Sequence, residues 1–234
     1  MSVPTRFPQG MTNVPETNPM AMFRQSDPST YHMVWDDFDV YTAANWVVTE
    51  SDAAATQALT AGDGGLLLIT NGSLDDGLTS MQSLVANFAM SAGKKAFFKC
   101  RFKVSDATQS DVMVGLVIVD TSPFASAPTD GIYFRKDDGD ANIDFSVRKD
   151  ASTGANDVTT VGTLVSDTYV TLAWYYDGVD KVLYYVDDVL RGQASATSAF
   201  LPDATNLAVT IALQNGEAVA KTMTIDYVLA AKER

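Results

Sequence analysis

The sequence is poor in the residues that most often carry chemistry. Its 234 residues include one cysteine, Cys100, and one histidine, His32. A lone cysteine excludes an internal disulfide, and a nucleophilic cysteine needs a histidine base, which this chain offers only near its start. Cys100 alternates with Phe98 and Phe102, so we interpret it as a small buried apolar residue. These shortages argue against cysteine catalysis and against a Cys/His metal site.

Glutamate and long apolar runs are also scarce. The chain has 4 glutamates against 25 aspartates. Because aspartate favours turns and glutamate favours helices, this skew predicts many turns and few helices. No run approaches the ~18–20 apolar residues of a membrane span. The opening residues lack the apolar core of a signal peptide, so we expect synthesis and assembly in a reducing cytoplasm, with no membrane partner.

The charge is strongly negative, with 16 basic and 29 acidic residues and a formal net charge of -13. Such a field repels a phosphate backbone, so a nucleic-acid partner is disfavoured. One basic row stands out on the predicted strand 95–104. It is either a solvated face that blunts a sheet edge or a contact for an acidic partner. Its residues are Lys95, Lys99, Arg101 and Lys103.

Alternation of apolar residues predicts strands throughout, the first of them over residues 35–38. In residues 167–193, Val170, Leu172, Trp174 and Tyr176 face one way. The turn residues that follow separate two further strands, which predicts a three-stranded meander. The continuous apolar run 112–119 predicts a central strand covered on both faces.

A dozen or more short strands without a long amphipathic helix predict one antiparallel β-sandwich over residues 34–234. We expect nine side chains to be buried in it. These are Phe98, Cys100, Phe102, Val114, Leu116, Ile118, Leu172, Trp174 and Ile225.

Residues 1–33 differ from the rest, because they hold five of the eight prolines and five of the nine methionines. Proline interrupts both helix and central strand, so we predict an extended N-terminal arm. The arm is too apolar for a solvated linker, and we expect it to order only against a partner. Its candidate partner-binding residues are Phe7, Met11, Val14, Met20, Met22 and Phe23.

Two patterns resemble known families. The run V-x-L-x-W-Y-Y-D-G from Val170, followed by L-Y-Y-V-D-D, resembles the concanavalin-A/laminin-G-like lectin and glucanase sandwiches, as does the closing run 223–228. This resemblance implies a jelly-roll-like sandwich. The opening residues 5–10 and 12–14, with Trp35-Asp36-Asp37-Phe38, resemble the start of tailed-bacteriophage virion structural proteins.

The second resemblance implies a capsid decoration (cement) protein. It would bind the major capsid protein and neighbouring copies of itself on the outer capsid surface, as a homotrimer. A glycan- or receptor-binding module of a phage tail or fibre is the alternative. Its candidate sugar-stacking aromatics are Trp35, Trp46, Trp174, Tyr175, Tyr176, Tyr184 and Tyr185.

An unrecognised polysaccharide hydrolase is the third hypothesis. The strand motif Glu-x-Asp-x-x-Glu of sandwich glucanases is absent, and the four glutamates are isolated. We therefore expect no catalytic activity and no cofactor. The acidic run 137–142 has oxygen ligands of the kind that calcium prefers, but it lacks the spaced acidic ligand of an EF-hand. We interpret it as a hairpin turn and expect no metal.

Overall fold

The computed structural model describes residues 29–62, 64–154 and 156–234. These residues form fifteen strands, one turn of 3-10 helix at Ala43–Asn45 and no α-helix, which confirms the all-β prediction. No helix among them is long and apolar enough to cross a membrane. The strands are β1 Tyr31–Asp36, β2 Trp46–Glu50, β3 Thr56–Thr60, β4 Leu66–Thr70, β5 Leu78–Ser83, β6 Ala96–Val104, β7 Ser110–Val117, β8 Gly131–Lys136, β9 Asn142–Arg148, β10 Asp157–Thr163, β11 Val170–Tyr176, β12 Lys181–Val186, β13 Val189–Ser195, β14 Ala208–Asn215 and β15 Thr222–Glu233.

Two antiparallel sheets pack face to face. The eight-stranded sheet has the order β13-β12-β11-β6-β15-β4-β3, and β1 also pairs with β15. The seven-stranded sheet has the order β10-β9-β8-β7-β14-β5-β2. The inner faces meet in one core, where Phe145 of β9 contacts Tyr184 of β12 with ring centroids 5.0 Å apart. This is the predicted β-sandwich.

Strand β6 shows why these residues form a sandwich. Its side chains alternate between buried and partly exposed along all nine positions. Phe98, Cys100 and Phe102 point into the core, and Phe98 stacks on Trp174 of β11 with centroids 6.0 Å apart. Burial raises the pKa of the Cys100 thiol well above its usual range, so this cysteine is inert, as the alternation predicts.

The predicted meander is confirmed. Strand β11 pairs with β12, and β12 pairs with β13, all antiparallel. The four side chains predicted to share one face of β11 are buried in the core. Aspartates make the turns: Asp177 Oδ1 accepts backbone N–H bonds from Val179 at 2.7 Å and Asp180 at 3.1 Å.

Three details differ from prediction. Strand β1 begins at Tyr31, so the last three residues of the predicted arm lie in the sheet, whereas residues 1–28 lie outside the described part. The first strand does not reach Phe38, because that residue has a left-handed φ of 53° and buries its ring beside Trp46. Ile118 is only partly buried, since β7 ends at Val117 and Ile118 packs outside the main core.

Strand β7 is buried along every residue. Val112, Val114 and Leu116 face the core between the sheets, and Met113 and Val117 face outward. The outward face is covered by the segment 118–130, which we call the covering segment. It leaves β7, crosses the outer face of the seven-stranded sheet and returns to β8. This segment shapes the site described next.

Candidate functional site

The predicted basic row lies on the outer face of the eight-stranded sheet. Lys99 Nζ pairs with Asp188 Oδ1 at 2.6 Å, and Arg101 pairs with Asp226. The Arg101 guanidinium also lies 4.2 Å from the ring centroid of Tyr169. Because β6 lies between β11 and β15, the row does not blunt an edge, and that interpretation was wrong. The other two members, Lys95 and Lys103, lie on the same strand face.

The structure separates the other predicted site residues. Phe7, Met11, Val14, Met20, Met22 and Phe23 lie outside the described residues. Among the candidate sugar-stacking aromatics, four are core residues, namely Trp46, Trp174, Tyr176 and Tyr184. The other three lie on the outer face of the eight-stranded sheet, namely Trp35, Tyr175 and Tyr185.

A two-part concave surface lies elsewhere, on the outer face of the seven-stranded sheet. Two adjoining cavities of about 500 and 340 Å³ share Arg135 and Asp137 as lining residues. We call them together the cleft. The first cavity lies between the covering segment, the loops at Ser51 and Asp76, and the β8–β9 turn. The second lies between the covering segment and strands β9 and β10.

Cross-strand register brings the polar residues of the cleft together. Arg135 on β8 lies opposite Asp144 on β9, and Gln214 on β14 lies opposite Asp111 on β7. Alternation along β8 puts Tyr133 and Arg135 on the outer face, while Phe134 enters the core. Residues far apart in sequence therefore share one surface.

Arg135 is the structural centre of the cleft. Its Nε donates to Asp137 Oδ1 at 2.5 Å, and its Nη2 donates to the Phe124 carbonyl at 3.2 Å. The guanidinium lies 5.6 Å from the Phe124 ring centroid. At the other end of the covering segment, Gln82 Nε2 donates to the Ile118 carbonyl at 3.1 Å. These bonds hold the segment over the sheet and separate the two cavities.

Asp111 is the most buried carboxyl of the first cavity. It accepts the backbone N–H of Asp138 at 2.5 Å. Burial, together with repulsion from Asp138 and Asp137, raises the pKa of Asp111 to about 6, although the Asp138 N–H bond and Lys136 oppose that rise. A carboxyl with such a pKa can hold or release a proton near neutral pH, as general acids do.

The second cavity combines Tyr133 with an ion pair. Arg148 donates to both carboxylate oxygens of Asp157, at 3.1 and 2.9 Å. Burial raises the pKa of Tyr133, so its phenol stays neutral. Gly115 makes room for this tyrosine, because a Cβ there would lie 2.6 Å from Tyr133 Cβ. The cavity thus offers a flat aromatic wall and fixed donors and acceptors.

The acidic run 137–142 forms the β8–β9 turn. Asp140 accepts from the backbone N–H of Asn142 at 2.7 Å and from its side-chain amide at 2.9 Å, which is turn capping. In the described ranges, no group of three or more His, Cys, Asp or Glu side chains is arranged to hold a metal ion.

Sequence reasoning missed the cleft. Its residues are separated by long stretches of chain and meet only through strand register. One signal was present: the outward alternation Tyr133, Arg135, Asp137 is polar and aromatic at the end of a strand whose other face is apolar. Asp111, at the start of a continuous apolar strand, is a second signal.

No family model matches this chain, and no curated protein sequence matches it. Solved structures do match. An endo-1,3-β-glucanase from Streptomyces sioyaensis is 15% identical with a TM-score of 0.63, covering 89% of this chain and 98% of the enzyme. The Emp46p carbohydrate recognition domain is 10% identical with a TM-score of 0.56, covering 83% and 93%. An endo-β-1,4-glucuronan lyase from Trichoderma reesei is 13% identical with a TM-score of 0.54, covering 85% and 94%.

These similarities establish the concanavalin-like jelly-roll fold, as the first resemblance implied. They give no support to the virion resemblance. They also contradict the prediction that the chain is not an enzyme, because glucanases and a lyase share its fold. That prediction relied on the missing motif, the isolated glutamates, the lone His32 and the buried Cys100, whereas the ionisable groups of the cleft are aspartates outside that motif.

Proposed function

We propose that this protein binds carbohydrate in the cleft on the outer face of its seven-stranded sheet. The observation that carries the proposal is the double cavity centred on Arg135, whose two parts of about 500 and 340 Å³ each have the volume of a small-molecule site, ~300–1,000 Å³. The structurally similar proteins include a glucanase and a carbohydrate recognition domain, which makes a glycan the natural ligand class for such a surface.

The cleft has the chemistry that sugar hydroxyls require. Carboxylates accept hydrogen bonds from sugar hydroxyls, and Arg135 and Gln214 donate to hydroxyl oxygens. Phe124 and Tyr133 line the cleft but are almost wholly buried, so its contacts with a ligand are chiefly polar. The lining acids outnumber the lining cations. The acids are Asp76, Asp111, Asp137, Asp138, Asp144 and Asp157, against Arg135 and Arg148.

This charge balance selects the ligand. A surface of net negative charge repels carboxylate or sulfate groups. We therefore propose a neutral glycan, such as a β-glucan oligosaccharide, over a uronic-acid polymer. The pKa of Asp111, raised to about 6, would let this carboxyl act as a general acid, so the experiment below also tests whether the glycan is cleaved.

The test is calorimetric titration with neutral β-1,3- and β-1,4-gluco-oligosaccharides and with an oligoglucuronate as the charged comparison. Asp138→Asn and Asp144→Asn should weaken binding, whereas Asp39→Asn, outside the cleft, should not. Product analysis by mass spectrometry distinguishes binding from cleavage. Failure of every neutral glycan to bind, or equal loss with Asp39→Asn, would refute the proposal.

A second candidate is a virion structural protein of the decoration type. It is supported by the resemblance of residues 5–14 and 35–38 and by an exposed apolar surface on the eight-stranded sheet, described below. In this proposal the arm and the row containing Lys95 and Lys103 contact the major capsid protein and neighbouring copies, with a trimer as the assembly unit. Electron microscopy of particles carrying the protein tests it, and density on the tail alone would favour the receptor-binding role.

A further inference from the structure

Part of the outer face of the eight-stranded sheet, beside the basic row, is apolar where an antiparallel sheet usually meets water. One cross-strand row joins Met33, Ala231, Phe97, Tyr175 and Leu183 in continuous register. The core residues of these strands point the other way, so no layer formed by the described residues covers this second apolar row. Surfaces of this kind on soluble proteins mark an interaction site.

A neighbouring row extends the surface. By register it runs from Trp35 through Leu229, Lys99 and Ala173 to Tyr185, and the one cation in it, Lys99, is paired with Asp188. Trp35 remains 52% exposed although it lies against Tyr227, with ring centroids 5.4 Å apart. We call the two rows the aromatic face, and define it by Met33, Trp35, Phe97, Tyr175, Leu183 and Tyr185.

The face contains a preformed groove. A cavity of about 120 Å³ lies between Tyr31, Phe97 and Tyr175, with Lys95 and Glu233 at its rim. Tyr31 is the first residue of β1, so the chain enters the described sandwich at the edge of this groove. Any segment that precedes β1 starts at the aromatic face.

We propose that the chain's own residues 1–28, which lie outside the described part, pack on the aromatic face. Their length suffices: the face crosses five strands spaced ~4.8 Å apart, roughly 20–25 Å in all. Twenty-eight extended residues span up to about 90 Å.

The composition of this segment fits the face as well. It includes the six apolar side chains named above as candidate partner-binding residues, and its prolines favour an extended path across strands. Its charges, Arg6, Glu16, Arg24 and Asp27, sum to zero, so the cations Lys95 and Lys103 on the face do not repel it. The expectation that the arm orders only against a partner assumed no apolar surface outside the core, and the aromatic face supplies one. The six apolar residues are Phe7, Met11, Val14, Met20, Met22 and Phe23.

The experiment uses tryptophan fluorescence in the full-length chain. Of the three tryptophans, Trp46 and Trp174 are buried in the core, so acrylamide quenching reports chiefly on Trp35. The variant Trp35→Phe gives the contribution of the other two. If the segment covers the face, Trp35 is protected in the unmodified chain. The triple change Phe7→Ser, Met22→Ser and Phe23→Ser should then raise its quenching constant several-fold and shift its emission to the red.

Val165→Ser is the matched control, since Val165 is exposed and lies in the β10–β11 loop, at the end of β11 opposite to Tyr175. It should leave quenching unchanged. Equal quenching in the triple variant and the unmodified chain would overturn the proposal. Protection that disappears on dilution, together with a dimer in light scattering, would also overturn it and assign the face to a second copy. No residue changed here lines the cleft, so glycan titration should be unaffected whatever the outcome.

Discussion

Arg135 and Phe124 hold the covering segment to the sheet, because the guanidinium both donates to the Phe124 carbonyl at 3.2 Å and lies over its ring. The covering segment in turn buries Met113 and Tyr133, which would otherwise face water. One side chain of β8 therefore connects the packing of the outer face with the shape of the cleft.

Replacing Arg135 with alanine should loosen the covering segment and expose Phe124. The lost bonds include one to a carboxylate and one to a carbonyl, so we expect a loss of about 1–3 kcal/mol in the free energy of unfolding. Glycan binding should fall as well. Urea denaturation measures the first effect and calorimetry the second. The control Arg191→Ala changes an exposed residue of β13 and should alter neither. An unchanged urea midpoint in Arg135→Ala would contradict the conclusion that Arg135 holds the covering segment to the sheet.

Asp111 should make stability depend on pH. Its pKa is raised to about 6 in the folded protein, above the ordinary value of 3.8, so the folded state binds the proton more tightly than the unfolded state. The resulting stabilisation is present at low pH and is lost as pH rises from about 4 to about 6. We expect Asp111→Asn to remove that loss, which is on the order of 2 kcal/mol.

Urea denaturation at pH 4 and pH 7.5 compares the two proteins. The variant should be the more stable at pH 7.5 and show the smaller change between the two conditions. Asp39→Asn serves as the control. A parallel pH dependence in Asp111→Asn and the unmodified chain would show that Asp111 titrates normally.

The ion cluster at Lys221 should make stability depend on pH in the opposite sense to Asp111. Lys221 is almost wholly buried, and its Nζ donates to Asp106 at 2.8 Å and to Glu217 at 2.6 Å. The hydrogen bond from Lys221 is the main cause that lowers the pKa of Asp106 to about 2. The stabilisation from Asp106 is therefore present above pH 4 and is lost as pH falls towards 2.

Lys221→Met should lower the free energy of unfolding at pH 7 by about 1–3 kcal/mol, since Asp106 keeps partial solvent contact and its backbone bonds. The deficit relative to the unmodified chain should shrink at pH 2.5. Lys181→Met, at an exposed position, is the control. A deficit that is the same at both pH values would mean that packing, and not the ion pairs, carries the effect.

The sequence predicted the fold well because strand alternation is a local signal. The apolar periods of β6 and β11 assign Phe98, Cys100 and Trp174 to the core without knowledge of the partner strand. The prediction that Ile118 is buried was wrong because its strand ends one residue earlier, where the chain turns to cover the outer face. Local periodicity cannot show where a strand leaves its sheet.

The cleft could not be predicted in the same way. Asp111, Arg135 and Asp157 come together only through the order β10-β9-β8-β7, which depends on pairing across the whole sheet. The interpretation that the basic row of β6 blunts a sheet edge was wrong for the same reason, because local periodicity does not give the order of strands in a sheet. The resemblance to glucanase and lectin sandwiches gave the fold, but no motif pointed to these residues.

Gly115 offers the strictest test of how the outer face is packed. A Cβ at this position would lie 2.5 Å from the Ile132 carbonyl oxygen and 2.6 Å from Tyr133 Cβ, so backbone must move to accept it. We expect Gly115→Ala to cost about 1–3 kcal/mol, as overpacking in a closed site usually does. At Gly162 the nearest atoms to a Cβ would all be side-chain methyls, those of Val186 at 3.0 and 3.2 Å and that of Ile143 at 3.6 Å. Gly162→Ala should therefore cost less stability, because a side chain can rotate.

Thermal and urea unfolding of the two variants give the comparison. If Gly115→Ala proved the milder change, Tyr133 would not be packed against β7 as described, and the aromatic wall of the second cavity would lose its support.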